Sequence, residues 1–374
     1  MRRATNRRRR LETCTLEHVA DLDRLDEAAR KAAKGVMWKS TTQHWMLERY
    51  RNCLHERRGL LDGTLKPPKY KEFTIVERGK PRHIKAAPFA HRVIQKSLAL
   101  NALTPAIEPT LTPGCSANRR GMGTGYAVRR MKRQLAAYAR RHGRDGWILL
   151  TDFSDYFGSL PHDGVMRMAE KRLDDPRVIG LVRREVESDG ARGLGLGSEP
   201  NQILAVAYPT PLDRLALNTP DVACSGRYMD DSYFISPDKE VLERFLSDAT
   251  ILCSRLGLAF NPRKTRIVRL SHGFTWLKKR FDITSTGRVL VRPCGKAKRR
   301  QRQRIRRQAR LVREGHMSRT EAWRDWQSMR GVYFGLDAHR TLLEFDRFYK
   351  QQYEQQEGNN HERRNHQRDS RRAG

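Results

Sequence analysis

Two carboxylates stand side by side in the run Tyr228-Met229-Asp230-Asp231. Strand-compatible residues flank them, with Val222, Ala223 and Cys224 before and Tyr233, Phe234 and Ile235 after. That pattern predicts a β-hairpin over 222–235 with the acids at its turn. Asp favours turns, so an Asp pair alone is an ordinary acidic turn. The whole tetrapeptide is sharper, because at ordinary residue usage it arises by chance in roughly one chain in a thousand of this length. Adjacent acids suit hard divalent cations, which take several oxygen ligands, so a further carboxylate is expected elsewhere. Asp152 supplies it, within Trp147-Ile-Leu-Leu-Thr-Asp152-Phe-Ser-Asp155-Tyr-Phe157. It ends an apolar run, Trp147–Thr151, that reads as a buried strand, where an uncompensated carboxylate is costly unless it binds cations. Two Mg²⁺ ions, with Mn²⁺ as the alternative, would bridge Asp152 to Asp230 and Asp231. One would activate a hydroxyl and the other stabilise a leaving pyrophosphate. Asp155 reads more readily as a cap for the following segment than as another ligand.

The rest of the chain must position these acids and supply their partners. Its 374 residues are 38% hydrophobic and 31% charged, which fits a soluble globular protein of two or three subdomains. No apolar run approaches the ~20 residues that span a bilayer. The basic N-terminus MRRATNRRRRLETC lacks a signal-peptide apolar core, so a cytoplasmic protein without membrane partners is expected. Lys and Arg number 75 against 42 Asp and Glu, a net charge of +33. Such a surplus repels itself in a compact fold unless a polyanion relieves it, and nucleic acid is the expected partner. Six cysteines, at 14, 53, 115, 224, 253 and 294, show no metal-ligand spacing, which argues against a zinc site or disulfide framework.

Along the chain, residues 1–10 read as an Arg-rich arm, and helical periodicity runs from Leu16 to Leu61. Phe73–Glu77 and Arg82–Ala86 are predicted strands joined through the basic turn Arg78-Gly79-Lys80. A helix is expected over Phe89–Leu103, bounded by Pro88 and Pro105, then a Gly-rich loop at 112–125 and a basic helix over Tyr126–His142. Strands near 274–291 precede a basic helical segment from 296 to about 353, and a polar end starts at Gly358. Between Lys296 and Arg313 stand ten Lys or Arg and no acid, a composition suited to a duplex backbone. Trp323, Trp326, Tyr333 and Phe334 are expected in the core of that segment. The strand and helix pattern implies an α+β protein with a mixed sheet backed by helices.

With these motifs in this order, the chain resembles a reverse transcriptase from about Leu16 to Tyr353. The resemblance implies a right-hand polymerase fold. It assigns 1–15 to a basic disordered arm, 16–145 to N-terminal helices and fingers, 146–292 to the palm, 293–355 to a basic helical thumb and 356–374 to a polar tail. It implies that Asp152, Asp230 and Asp231 are the catalytic metal ligands, with the Phe153 carbonyl adding an oxygen. Phe157 falls on the steric-gate position that favours dNTPs, though core packing explains an aromatic there equally well. Lys80 and Arg82 resemble the fingers residues that grip the triphosphate. Arg119-Arg120-Gly121-Met122-Gly123 resembles the second fingers motif, and Phe274-Thr-Trp276-Leu277 the primer grip. Asn261-Pro-Arg-Lys264 resembles the motif whose lysine would protonate pyrophosphate.

One stretch departs from the usual family pattern of Gln-Gly followed by Ser-Pro. In Gly193-Leu-Gly195-Leu196-Gly197-Ser-Glu-Pro-Asn201-Gln202, Leu196 replaces the Gln and Asn201-Gln202 the Ser-Pro. An aliphatic residue there is similar to the reverse transcriptases of diversity-generating retroelements, which copy a template RNA with errors at adenines. The implied partners are template RNA, primer, cDNA product, dNTPs and a small basic accessory protein. Antiphage-defence reverse transcriptases share the departure and stand as the alternative within the class. A non-catalytic RNA-binding scaffold is the alternative outside it.

Overall fold

The computed structural model describes residues 13–77, 79–188 and 190–353. The Arg-rich arm up to residue 12, the polar tail and Arg78 of the basic turn lie outside the described residues. The chain forms two compact units. One comprises the described residues up to Ala127 together with Ile148–Ile267, and the other Val128–Trp147 together with the described residues from Val268.

In the first unit, helices α1 (Leu16–Val19), α2 (Leu22–Ala33), α3 (Ser40–Leu47) and α4 (Arg49–Leu61) account for the periodicity at 16–61. Thr15 and Asp21 start α1 and α2, each accepting a backbone N–H with its side chain. The small residues Ala28, Ala29, Ala32 and Ala33 of α2 are buried and let it lie close to α5 (Phe89–Leu98). Strands β1 (Lys71–Glu77) and β2 (Lys80–Ala86) pair antiparallel, with Glu77 opposite Lys80 and Ile75 opposite Arg82. Each begins two residues before its predicted start, because the register extends to the turn and to Ala86 opposite Lys71.

Pro105 does not end the helical path. A π-turn over Ala99–Leu103 follows α5, and α6 (Thr104–Ile107) carries Pro105 in its first turn, where a missing N–H costs nothing. The basic helix α7 covers Thr124–His142, and β3 covers Trp147–Thr151. Four helices follow: α8 (Tyr156–Ser159), α9 (His162–Glu170), α10 (Pro176–Glu187) and α11 (Glu199–Ala207). Then come α12 (Thr210–Asn218), β4 (Cys224–Tyr228), β5 (Asp231–Ser236), α13 (Lys239–Arg255) and β6 (Arg266–Arg269). The sheet order is β4-β5-β3-β6, which sets the end of β3 beside the hairpin strand that begins at Asp231. With sheets this small among so many helices, the chain is α+β.

The second unit contains a three-stranded antiparallel meander of β7 (Phe274–Trp276), β8 (Lys279–Ile283) and β9 (Val289–Pro293). Helix α14 (Gly295–Arg313) buries Ile305 and Ala309, four residues apart on one face, and its cations occupy the rest of the surface. A capping box of Ser318 and Glu321 starts α15 (Arg319–Gly331). Residues 339–353 are helical and contribute Phe345, Tyr349 and Tyr353 to a core with Trp326 and Tyr333. Two expected core residues are outside it: Trp323 is 47% and Phe334 74% exposed. Trp323 lies at the rim of this core, its ring edge-on to Tyr349 at 5.6 Å, and Phe334 lies in the turn after α15 rather than on a helix face. Among the described residues, no helix is long and apolar enough to cross a membrane.

Candidate active site

The hairpin is built as predicted, with Tyr228 paired to Asp231 across a turn formed by Met229 and Asp230. Met229 has φ of 57°, a left-handed conformation that a side-chain-bearing residue adopts only with support. The support comes from β4. Arg227 is fully buried, and its Nη1 donates 3.1 Å to the Met229 carbonyl. The same guanidinium holds Asp213 of α12 in a fork, through Nε at 2.8 Å and Nη2 at 2.7 Å. Tyr228 and Met229 pack against buried Cys115, Ala117 and Val206. The Gly-rich segment reaches this place by bridging β4, as Arg227 donates its amide to Gly114 and Ser116 donates to Arg227.

Asp152 is buried at the end of β3, the strand that neighbours β5 of the hairpin. The protonated Asp231 carboxyl can share a hydrogen bond with Asp152, and both Asp230 and Asp152 act on it electrostatically. Two segments about eighty residues apart in sequence are therefore neighbours, with Asp231 under the influence of Asp152. The segment after Asp152 is fixed by a short bridge between Phe153 and Phe260, whose rings stack at 5.2 Å. Asn261 donates its amide to the Asp152 carbonyl, and its own side chain and carbonyl close the turn through Arg263 and Lys264. That turn puts the Lys264 ammonium 2.6 Å from Asp152 Oδ1. Asp155 sits before α8 with φ of 39°, but its side chain makes no capping hydrogen bond, which corrects the expectation of a cap.

Burial, with the charges of Asp230 and then Asp152, pushes the Asp231 carboxyl up to about 7. Partial burial works against the Lys264 charge, but its hydrogen bond to Asp152 and the three acids outweigh that and raise its pKa. The site thus holds more negative charge than its one ammonium offsets, which is the chemistry a hard divalent cation would relieve. Asp152, Asp230 and Asp231 are the residues that would hold such ions. Among the described residues, no three acidic, His or Cys side chains are already gathered as a ligand set. Asp152 is instead directed to Lys264, whose ammonium stands in for a cation.

A pH dependence follows. The folded pKa of Asp231 lies above its unfolded value of 3.8, so the native state binds this proton more tightly. Its contribution to stability is complete below about pH 4 and lost as pH rises through about 7, each unit being worth about 1.4 kcal/mol. Denaturant titrations in chelator should show stability falling across that window, and millimolar Mg²⁺ should flatten the fall. A slope that Mg²⁺ leaves unchanged would separate Asp231 from metal binding.

The loop containing the sequence departure lies against the Asp152 segment. Gly193 and Leu194 donate their amides to the carbonyls of Leu160 and Phe157. Gly193 has φ of 91°, and a Cβ there would meet Gly158 and Phe157 backbone at 3.1 Å. Leu196 is exposed. Gly197 comes so close to β2 that an added Cβ would sit 3.1 Å from the Lys85 carbonyl. Gln202 is half-buried in the first turn of α11, beside fully buried Asn201. Phe157 is also half-buried, its ring edge-on to Tyr156. The backbone of Lys80 and Arg82 lies in β2, and their side chains are outside what is described. Arg119 is a brace rather than an open cation, binding Glu108 and the carbonyls of Thr112 and Cys115. In the second unit, Phe274 and Trp276 are buried in β7.

Arg227 and Asp213 are the residues that the motifs did not reveal. Their signal was weak: one Arg inside a strand and one Asp at a core-facing helical position.

No family model matches the chain. A segment of 133 residues is 27% identical to Protein YkfC of Escherichia coli (strain K12), covering 34% of this chain and 33% of that protein. The chain therefore spans about a third of the length of the curated relative it matches.

Proposed function

We propose that the chain is a reverse transcriptase, an RNA-directed DNA polymerase of right-hand fold that extends a primer with dNTPs. One observation carries the reading: Asp152 and Asp230 both act on the Asp231 carboxyl, and Lys264 is hydrogen-bonded to Asp152. When bound, two Mg²⁺ ions would activate the primer 3′-hydroxyl and offset charge on the triphosphate. The chain's own residues do the remaining work. Asp152 and the Asp230–Asp231 turn fix where cations and reacting oxygens meet, with Arg227 bracing the turn from behind. Lys264 keeps its proton and is half exposed, so it can deliver that proton to departing pyrophosphate. The +33 net charge suits an RNA template and a growing duplex. Primer extension on an RNA template with Mg²⁺ and dNTPs tests the reading, and failure to incorporate any nucleotide on RNA would overturn it.

Within that class we propose an error-prone enzyme of the diversity-generating kind. Leu196 presents an exposed aliphatic side chain beside Gly197, and cannot supply the polar contact that a Gln would. Misincorporation should concentrate opposite template adenine, and Leu196→Gln should lower it severalfold when products are sequenced. Equal error rates at all four template bases would remove the support for this branch.

A further inference from the structure

A concavity lies in the first unit, lined by residues other than those of the carboxylate cluster. It is a cavity of about 820 Å³ enclosed by α4, the segment 64–70, the start of α5 and the end of α10. None of Asp152, Asp230, Asp231 or Lys264 lines it. Its volume is in the range that holds a whole small molecule rather than one side chain.

Its walls are sorted by chemistry. Leu65, Pro67, Pro68, Ile94 and Leu181 supply apolar surface, and Tyr70 meets His91 edge-on with ring centroids 6.2 Å apart. Glu56 lines the same space, is only 8% exposed, and accepts no hydrogen bond from any described residue. Burial pushes its carboxyl up, although His55 and His91 pull the other way. A buried acid without a donor is costly, and native structures seldom keep one without a use. Glu185 is different, because it already accepts from Gln95 at 2.8 Å and from Ser198 at 3.1 Å. His91 Nε2 lies 2.7 Å from Glu185 Oε1 but out of hydrogen-bonding line, and has no hydrogen-bond partner. Arg58, Lys66 and Arg184 line the cavity as exposed residues that form no ion pair among the described residues.

We propose that this cavity is a binding site for a guanosine phosphate, with Glu56 accepting from the base and Arg58, Lys66 and Arg184 receiving the phosphate. A lone carboxylate inside an apolar pocket calls for adjacent N–H donors on a flat, otherwise apolar body. Guanine presents two in a row, N1–H and the N2 amino group, which match the two oxygens of one carboxylate. Adenine and cytosine place a ring-nitrogen lone pair beside their amino group, and that lone pair would face a carboxylate oxygen. Exposed cations lining the cavity, with no ion pair among the described residues, complement the phosphate that such a base brings with it. The chemistry is the same for a free guanine nucleotide and for an unpaired guanosine within RNA. It is independent of whether the carboxylate cluster polymerises nucleotides.

Equilibrium binding to the full chain decides the matter, using GMP, AMP, and short unpaired RNAs carrying a single G or a single A in a uridine background. GMP should bind saturably and at least tenfold more tightly than AMP. Glu56→Gln should remove that preference, because an amide presents an N–H to the base. Arg184→Ala should weaken GMP severalfold and leave guanosine unchanged, which keeps the test open if Glu56→Gln fails to fold. Asp230→Asn should leave GMP affinity unchanged, so failure of this site and failure of the polymerase reading are distinguishable. Preference only within the RNA pair, abolished by Glu56→Gln, identifies the transcript as the source, whereas preference in GMP identifies a free nucleotide. Equal binding of G and A ligands in both arms, or a preference that survives Glu56→Gln, overturns the proposal.

Discussion

Asp230→Asn should abolish primer extension, lowering the rate by about a thousandfold or more, while leaving the fold intact or slightly more stable. The activity loss follows from removing one of the oxygens that would hold the catalytic ions, a contribution of several kcal/mol to the barrier. The stability effect has the opposite sign for an electrostatic reason. After burial, Asp230 is the largest influence raising the Asp231 carboxyl, so a neutral residue at 230 relieves repulsion that the metal-free protein must bear. Thermal unfolding in chelator should therefore give an equal or higher midpoint for the variant, measured beside its extension rate. Near-normal extension would refute the metal assignment. A large drop in midpoint would show that Asp230 serves the fold instead.

Arg227→Met should destabilise the first unit by about 3–5 kcal/mol, the usual effect of stranding the partner of a buried ion pair. Asp213 would be left buried, without the two bonds at 2.8 and 2.7 Å that now satisfy it. Adding Asp213→Leu removes the stranded charge, and replacing both partners by apolar groups is often near neutral. The double variant should thus regain most of the lost stability in denaturant titrations. It should not regain activity, because the Met229 carbonyl still lacks the Nη1 donor that supports its left-handed turn. A double variant with full extension activity would show that the hairpin keeps its shape unaided. The split between stability and rate distinguishes bracing the turn from merely filling the core.

What the sequence made legible was what leaves a local mark. An apolar run ending in an acid marked β3 and Asp152, and strand-forming residues around Tyr228–Asp231 marked the hairpin. Lys264 became a candidate through resemblance alone, since a lysine in an Asn-Pro turn has no distinctive spacing. Its place at Asp152 depends on Asn261 donating to the Asp152 carbonyl, a contact across more than a hundred residues. Arg227 and Asp213 were illegible because their pairing is tertiary: each is a buried charge within its own element, and only together do they make sense. Pro105 misled for a related reason, because a π-turn upstream let the helical path absorb it. Trp323 and Phe334 misled because aromatic type alone is a poor guide to burial.

The Lys264 side chain is 54% exposed while its ammonium rests on a buried acid. It behaves as a counterion on a leash, always present at high effective concentration. Filling the site with a divalent ion then becomes an exchange rather than a simple capture, since the incoming charge must evict a tethered one. Occupancy at scarce cation would be set by that competition, and the displaced ammonium would be left free to meet another anion.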